Sequence, residues 1–188
     1  MSVESHDPGG KVRLPLMPGV KGDATFSADG RYRQLMRRWT GETFPDRYIM
    51  FIGMNPSTAD ATVNDPTCAR EWTFANREGY SAMVKANVGD YRATDPKMLL
   101  APGIVAVSEA NLPAIRKAAA GADMVVLCHG KLNKALAPSG KAIVEALQAD
   151  GVDLWCFGTN GDGSPKHPLY LRLETPLVRL ADGRQPLG

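Results

Sequence analysis

Four short apolar runs alternate along the chain with helical patterns and polar loops. The clearest run, Arg47 to Met54, is continuously apolar from Tyr48 to Ile52, which is typical of a strand covered on both faces. Three further runs occupy residues 81–88, 123–128 and 152–157. Because strands that alternate with helices form parallel sheets, the pattern predicts an α/β fold with a mostly parallel, doubly wound sheet of four strands.

Helix-start signals lie between these strands. The segment Asp65-Pro66-Thr67 predicts a helix that runs to about Arg77, with Asp65 as its N-cap and Pro66 at its first position. Two further helices are predicted over residues 108–120, with Ser108 as N-cap, and 141–149. Helices between parallel strands cover both faces of a sheet, so a three-layer αβα sandwich is expected.

An N-terminal β-hairpin is predicted at the edge of this sheet. Residues 24–27 and 31–39 flank Asp29-Gly30, a dipeptide that is typical of tight hairpin turns. Four arginines of the second strand, at positions 31, 33, 37 and 38, form a basic cluster. Such a cluster fits contact with phosphates and fits a solvated strand face equally well, so both interpretations stay open.

Composition indicates a single domain. The 188 residues are 44% hydrophobic and 22% charged, with a formal net charge of +2. We expect a flexible arm over 1–22, one domain over 23–182 and a tail over 183–188.

No apolar run reaches the roughly 20 residues that span a bilayer, and the first ten residues lack a secretory signal, so no membrane partner is expected. Three cysteines without a CxxC pair predict reduced thiols, a cytoplasmic location and no metal site.

Polar sequence follows the predicted strands, where α/β proteins bind ligands. Asn55, Asn87 and Lys131 each come at or just after a strand end, and His167 lies in the loop after the last strand. Each has an alternative, structural interpretation: Asn55 as a turn former, Asn87 as a buried amide that satisfies backbone, and His167 as a solvated loop residue. Asp65 is equally explained as a helix cap, and Asp90 with Arg92 as a local ion pair.

Several common catalytic motifs are missing from the sequence. The glycine-rich stretch at 158–163 lacks the lysine-serine ending of a phosphate-binding P-loop, and no GxGxxG dinucleotide fingerprint follows a strand. No GxSxG nucleophile elbow is present either. No cofactor is therefore predicted.

The polar segments resemble those of the uncharacterised bacterial and phage family known as domain-of-unknown-function family 1643. The similarity covers about residues 24–180. It lies in the segments 31–39, 51–60, 64–67, 87–96 and 161–171. The family implies no established activity.

A more distant resemblance is to the uracil-DNA glycosylase superfamily. Gly53-Met54-Asn55-Pro56 is similar to its first motif, and the segment ending at Asn87 to its second core strand. Residues 125–131 resemble its third strand, and His167-Pro168 its late histidine-proline motif. Departures are Ser57, where those enzymes usually carry glycine, and Leu169, where they usually carry serine.

This resemblance implies a uracil-DNA-glycosylase-like fold and a set of roles. Asn55 would position a water at the sugar carbon, His167 would stabilise the departing base, and Asn87 would read the base edge. Lys131 and Arg92 would hold phosphates, and the neighbouring residues Met54, Pro56, Ser57, Asp65 and Tyr91 would contribute to substrate binding.

The expected ligand is a nucleobase, a nucleotide or DNA, and the expected reaction is hydrolysis of a base–sugar bond. Two alternatives stay open: an enzyme that acts on a free modified nucleotide, and a non-catalytic module that binds nucleotides or nucleic acid. A DNA enzyme would need a continuous basic track beside the pocket, whereas a nucleotide enzyme needs a local basic patch.

Overall fold

A computed structural model describes residues 12–180 and shows a mixed α/β fold built on one seven-stranded sheet. The order across the sheet is β2-β3-β6-β4-β7-β8-β9. The strands are β2 (Val20–Phe26), β3 (Arg33–Thr40), β4 (Ile49–Gly53), β6 (Ala82–Asn87), β7 (Met124–Leu127), β8 (Leu154–Cys156) and β9 (Val178–Arg179). Two two-residue strands, β1 (Leu14–Pro15) and β5 (Val63–Asn64), pair with each other separately.

The sheet is larger and more mixed than the four-stranded, mostly parallel sheet expected. The four apolar runs form β4, β6, β7 and β8, which pair parallel as neighbours. The hairpin strands β2 and β3 extend the sheet antiparallel at β6, and β9 extends it antiparallel at β8. The α/β class is confirmed, but the sheet has seven strands rather than four, because the predicted hairpin joins it at one edge and β9 at the other.

Three helices connect the parallel strands: α1 (Pro66–Arg77), α2 (Asn111–Ala120) and α3 (Ala137–Ala149). Helix α1 begins as predicted, since the Asp65 carboxylate accepts a hydrogen bond from the Cys68 amide at 2.8 Å. Helix α2 begins three residues after Ser108, because the Ser108 amide and hydroxyl both donate to the carboxylate of Asp90 instead of capping a helix. Short 3-10 turns occupy Pro96–Leu100 and Pro168–Tyr170.

The hairpin is confirmed, with a turn at Gly30 (φ 71°) and a register shift between Thr25 and Phe26. Its first strand begins at Val20, earlier than the predicted residue 24, and both this start and β1 lie inside the segment assigned to a flexible arm. The remainder of that arm, residues 1–11, and the expected tail at 183–188 lie outside the described residues.

Two apolar layers pack against opposite faces of the sheet. Alternate residues of β4 separate cleanly: Met50 and Ile52 join the layer of α2 and α3, whereas Ile49 and Phe51 join the layer of α1. All three cysteines are buried and unpaired. Within residues 12–180, no helix combines the length and apolar character that crossing a membrane requires.

Candidate ligand-binding site

A polar cavity of about 300 Å³ lies at the carboxyl ends of β4 and β6. Its walls come from β3, β4, β6, the first turn of α1, and the loops that follow β4, β6 and β8. The lining side chains used below are those of Arg33, Asn55, Ser57, Asp65, Lys85, Asn87 and His167. This volume is at the lower end of the range for small-molecule sites, so the cavity fits a compact ligand.

Asn55 ties the loop after β4 to the loop after β6. Its Nδ2 donates to the carbonyl of Ala93 at 2.7 Å and to that of Pro56 at 3.1 Å. Both amide hydrogens are therefore engaged, and the side-chain oxygen is the atom left to accept a hydrogen bond from a ligand or water.

Asn87 ends β6 and is 1% exposed, yet its Nδ2 has no hydrogen-bond partner. The facing residue on β4 is Gly53, paired with Asn87 in register. A Cβ at Gly53 would lie 3.0 Å from Asn87 Oδ1 and 2.5 Å from Lys85 Nζ, so glycine allows both polar groups to approach the end of β4. An unpaired buried donor is costly, so Asn87 Nδ2 is a group to which a ligand or a water can bind.

Lys85 is a buried cation beside this cavity. Its side chain is 4% exposed and forms an ion pair with Glu71 of α1, whose side chain is fully buried. Burial alone would lower the pKa of Lys85, but the Glu71 carboxylate holds that pKa above its ordinary value, so the ammonium stays charged. The Cys128 thiol also donates to Glu71 Oε1, at 3.4 Å.

His167 is neutral over the physiological range. Burial, together with a smaller effect of the positive charge of Lys85, lowers its pKa to about 4 against an opposing effect of Asp65. The Leu169 amide donates to His167 Nδ1 at 3.4 Å. An acceptor at Nδ1 leaves the proton on Nε2, so the neutral ring presents one N–H donor.

We expect an NMR titration of the ring protons to give His167 a pKa of about 4 in the folded protein, against about 6.5 in urea. Between these values the unfolded chain holds the extra proton, so stability falls as pH drops from 6.5 to 4. After allowance for solvent around a partly exposed ring, the loss is about 1–2 kcal/mol. His167→Gln should remove this part of the pH dependence, and a folded-state pKa near 6.5 would contradict the assignment.

The structure brings together six of the residues predicted from sequence: Met54, Asn55, Ser57, Asp65, Asn87 and His167. Pro56 lies beside them, and its carbonyl accepts from the Ala93 amide at 2.9 Å. Asp65 combines a place in the cavity wall with its role as the helix cap.

Three predicted residues lie elsewhere. Tyr91 packs edge-on against Tyr32, with ring centroids 5.5 Å apart. Arg92 stacks over Phe26, donates to the Gly30 carbonyl at 3.0 Å and lines a separate shallow depression. Lys131 lines a second cavity, of about 330 Å³, and forms an exposed ion pair with Asp162 at 3.5 Å.

The alternative interpretation of Asp90 and Arg92 as a local ion pair is not supported within residues 12–180. Asp90 is fully buried and accepts hydrogen bonds from Ser108 and from Gln34 Nε2, the latter at 3.2 Å. The carboxylate of Asp90 therefore forms hydrogen bonds with the loop 91–108 and with β3.

Sequence reasoning missed Arg33, Lys85 and Glu71 as residues at or beneath the cavity. A signal was present for Lys85, because a lysine in the middle of an apolar strand needs a buried counter-ion. Arg33 gave no such signal, since its strand alternates poorly. Within residues 12–180, no group of three or more His, Cys, Asp or Glu side chains is arranged to hold a metal ion.

The fold is mixed α/β, and a cavity whose wall contains several polar and charged side chains lies at the carboxyl edge of the parallel strands. The chain belongs to the family described as protein of unknown function DUF1643, whose family model matches residues 31–169. That span holds β3, the four parallel strands of the sheet and His167. The comparisons with curated proteins and with solved structures gave no match.

Proposed function

We propose that the cavity binds a nucleobase or nucleotide and that the protein hydrolyses the bond between the base and its sugar. The observation that carries this proposal is Asn87, a fully buried carboxamide in the cavity wall with an unpartnered Nδ2. A carboxamide offers one donor and one acceptor in a plane, which matches the hydrogen-bonding edge of a base.

His167 and Asn55 supply groups that suit the reaction. When the bond between the sugar carbon and the base nitrogen breaks, its electron pair leaves with the base, which becomes anionic. A neutral His167 that donates from Nε2 would stabilise that charge without first losing a proton. Asn55 Oδ1 would hold the attacking water, whose oxygen bonds to the sugar carbon and whose proton passes to the solvent or the departing base.

The resemblance to the uracil-DNA glycosylase superfamily supports the same proposal. Under it, the four parallel strands with helices on both faces correspond to the core of a three-layer αβα sandwich. The shared lining of one cavity by Asn55, Asn87 and His167 supports the proposal.

The test is a base-release assay on single- and double-stranded oligonucleotides that carry uracil, hypoxanthine, xanthine or hydroxymethyluracil. Wild-type protein is expected to release a base from at least one substrate, and Asn55→Ala and His167→Ala to lower the rate by about 100-fold or more. Lys117→Ala, an exposed lysine on α2, is the matched control and should retain activity. Absence of release by folded wild-type protein from every oligonucleotide and from the corresponding free nucleotides would overturn the hydrolytic proposal. Binding without turnover would instead indicate a non-catalytic module.

A further inference from the structure

Two arginines of β3 are buried to the same degree but differ in their partners. Arg33 is 1% exposed and Arg38 is 0% exposed. Arg38 donates from Nε to Asn64 Oδ1 at 3.0 Å, from Nη1 to the Arg37 carbonyl at 2.9 Å and from Nη2 to the Val63 carbonyl at 2.9 Å. These hydrogen bonds hold the loop after β4 against the hairpin, so the role of Arg38 is structural.

Arg33 has far fewer partners. Its Nη1 donates to the carbonyl of Ala59, and its Nε is buried without a partner. Among residues 12–180, no carboxylate lies within 4.0 Å of its guanidinium. A buried charge that lacks a counter-ion is strongly unfavourable, and such groups are usually paired. Arg33 lines the ligand cavity, whereas Arg38 does not.

Two other side chains at the cavity also present N–H donors. Asn87 Nδ2 is a second buried donor without a partner, and Lys85 places a charged ammonium beside the end of β4. The negative charge of Glu71 is paired with Lys85, and the Asp65 carboxylate in the cavity wall caps helix α1 by accepting from the Cys68 amide. Arg33 Nε and Asn87 Nδ2 remain as two buried donors without partners at this cavity, and such donors suit an acceptor-rich oxyanion.

We propose that the cavity binds an oxyanion, the phosphate group of a nucleotide, and that Arg33 is the residue that recognises it. A guanidinium presents its donors in a planar fork that matches two phosphate oxygens, and in a buried site such charge-assisted bonds are strong. The inference rests on the proposed nucleotide function of the same cavity and names the charged part of the ligand. The phosphate comes either from a free nucleotide or from a single-stranded nucleic acid.

The test compares the affinities of uridine, uridine 5′-monophosphate, inorganic phosphate and a short uracil-containing single strand by calorimetry. Wild-type protein is expected to bind the monophosphate at least about tenfold more tightly than uridine. Arg33→Met should abolish this preference, and Arg33→Lys should retain part of it. Arg37→Met, on the same strand but partly exposed and paired with Asp23, is the matched control and should leave the preference unchanged.

Thermal unfolding separates recognition from folding. Arg33→Met is expected to leave Tm unchanged or raise it, because it removes a buried charge that has no counter-ion, whereas Arg38→Met should lower Tm. A displacement of the Arg33 Nε–H resonance in wild-type protein on addition of inorganic phosphate gives the same information without a variant.

The outcomes distinguish this inference from the proposed function. Equal binding of uridine and its monophosphate would overturn the role of Arg33 and leave nucleobase binding standing. Binding of inorganic phosphate at Arg33 without binding of uridine, nucleotide or strand would support the oxyanion site and overturn the nucleotide function. Preference for the strand over the free monophosphate, lost in Arg33→Met, would assign the phosphate to nucleic acid. No binding of any of the four probes would overturn both.

Discussion

Replacement of Lys85 with methionine is expected to destabilise the protein by about 3–5 kcal/mol, because it leaves the Glu71 carboxylate buried without a counter-ion. Glu71 Oε2 already lacks a partner, and the Cys128 thiol at 3.4 Å is a weak donor that does not compensate the charge. Urea unfolding monitored by circular dichroism measures the loss directly.

The double variant Lys85→Met with Glu71→Leu provides the control for this prediction. It removes both charges and fills the space with apolar groups, so its free energy of unfolding should return to within about 1–2 kcal/mol of the wild type or exceed it. Arg47→Met serves as the exposed comparison, since the Arg47–Asp123 pair lies largely in solvent and should contribute less than about 1 kcal/mol. A loss below about 1 kcal/mol in the single variant would show that the pair is not buried as described.

The same pair explains why a strand at the centre of the sheet carries charge. A buried ion pair stabilises a fold poorly compared with apolar residues of the same volume, so its presence calls for another reason. Lys85 Nζ and Asn87 Oδ1 both lie beside Gly53, at the wall of the cavity. We therefore interpret the ion pair as a means of keeping the Lys85 ammonium charged for ligand binding. Because the double variant is expected to fold, its ligand affinity measures this role separately from stability.

The parallel part of the sheet was predictable from sequence because burial on both faces leaves a direct pattern. The run from Tyr48 to Ile52 is apolar without interruption, and Ile49 to Ile52 are all fully buried. Helix α1 was equally readable, because Asp65 and Pro66 satisfy the requirements of a helix start in two adjacent positions.

The edges of the sheet were not predictable in the same way. Strands of two residues, such as β9 and β1, are too short to show a period of two, and their pairing depends on tertiary contacts. The burial of Arg33 could not be predicted from the sequence for a different reason. Arginine in a hairpin usually indicates a solvated face, and its burial here depends on the loop after β4 folding back to place the Ala59 carbonyl against it.

The convergence of Asn55, Asn87 and His167 followed from one topological rule, that carboxyl ends of parallel strands share an edge. The rule predicts where the strand ends lie, but it does not predict the directions of the loops that follow them. Tyr91 and Arg92 come only a few residues after Asn87, yet the chain has already turned toward the hairpin, where an isolated bridge joins Tyr32 to Tyr91. Lys131 likewise turns toward α3 and a different cavity.

Replacement of Asp90 with alanine is expected to destabilise the protein by about 3–5 kcal/mol, because three hydrogen bonds to a buried carboxylate are lost and their donors are left without partners. Those donors are the Ser108 amide at 2.7 Å, the Ser108 hydroxyl and Gln34 Nε2 at 3.2 Å. For a domain of this size the loss corresponds to a fall in Tm of about 10 °C. Differential scanning calorimetry measures it, with Glu109→Ala, an exposed carboxylate one residue from Ser108, as the matched control.

The same Asp90→Ala replacement should also weaken ligand binding. Asp90 joins the two ends of the loop 91–108, and that loop supplies Ala93, Thr94 and Pro96 to the cavity wall. The Asn55 amide depends on the Ala93 carbonyl for its orientation, so a loosened loop frees Asn55 to rotate. In folded Asp90→Ala protein at low temperature, affinity for the uracil-containing probe should fall by more than tenfold, because the ligand must then order the loop. Wild-type affinity in that variant would show that the loop is held by its other contacts and that Asn55 is oriented independently of Asp90.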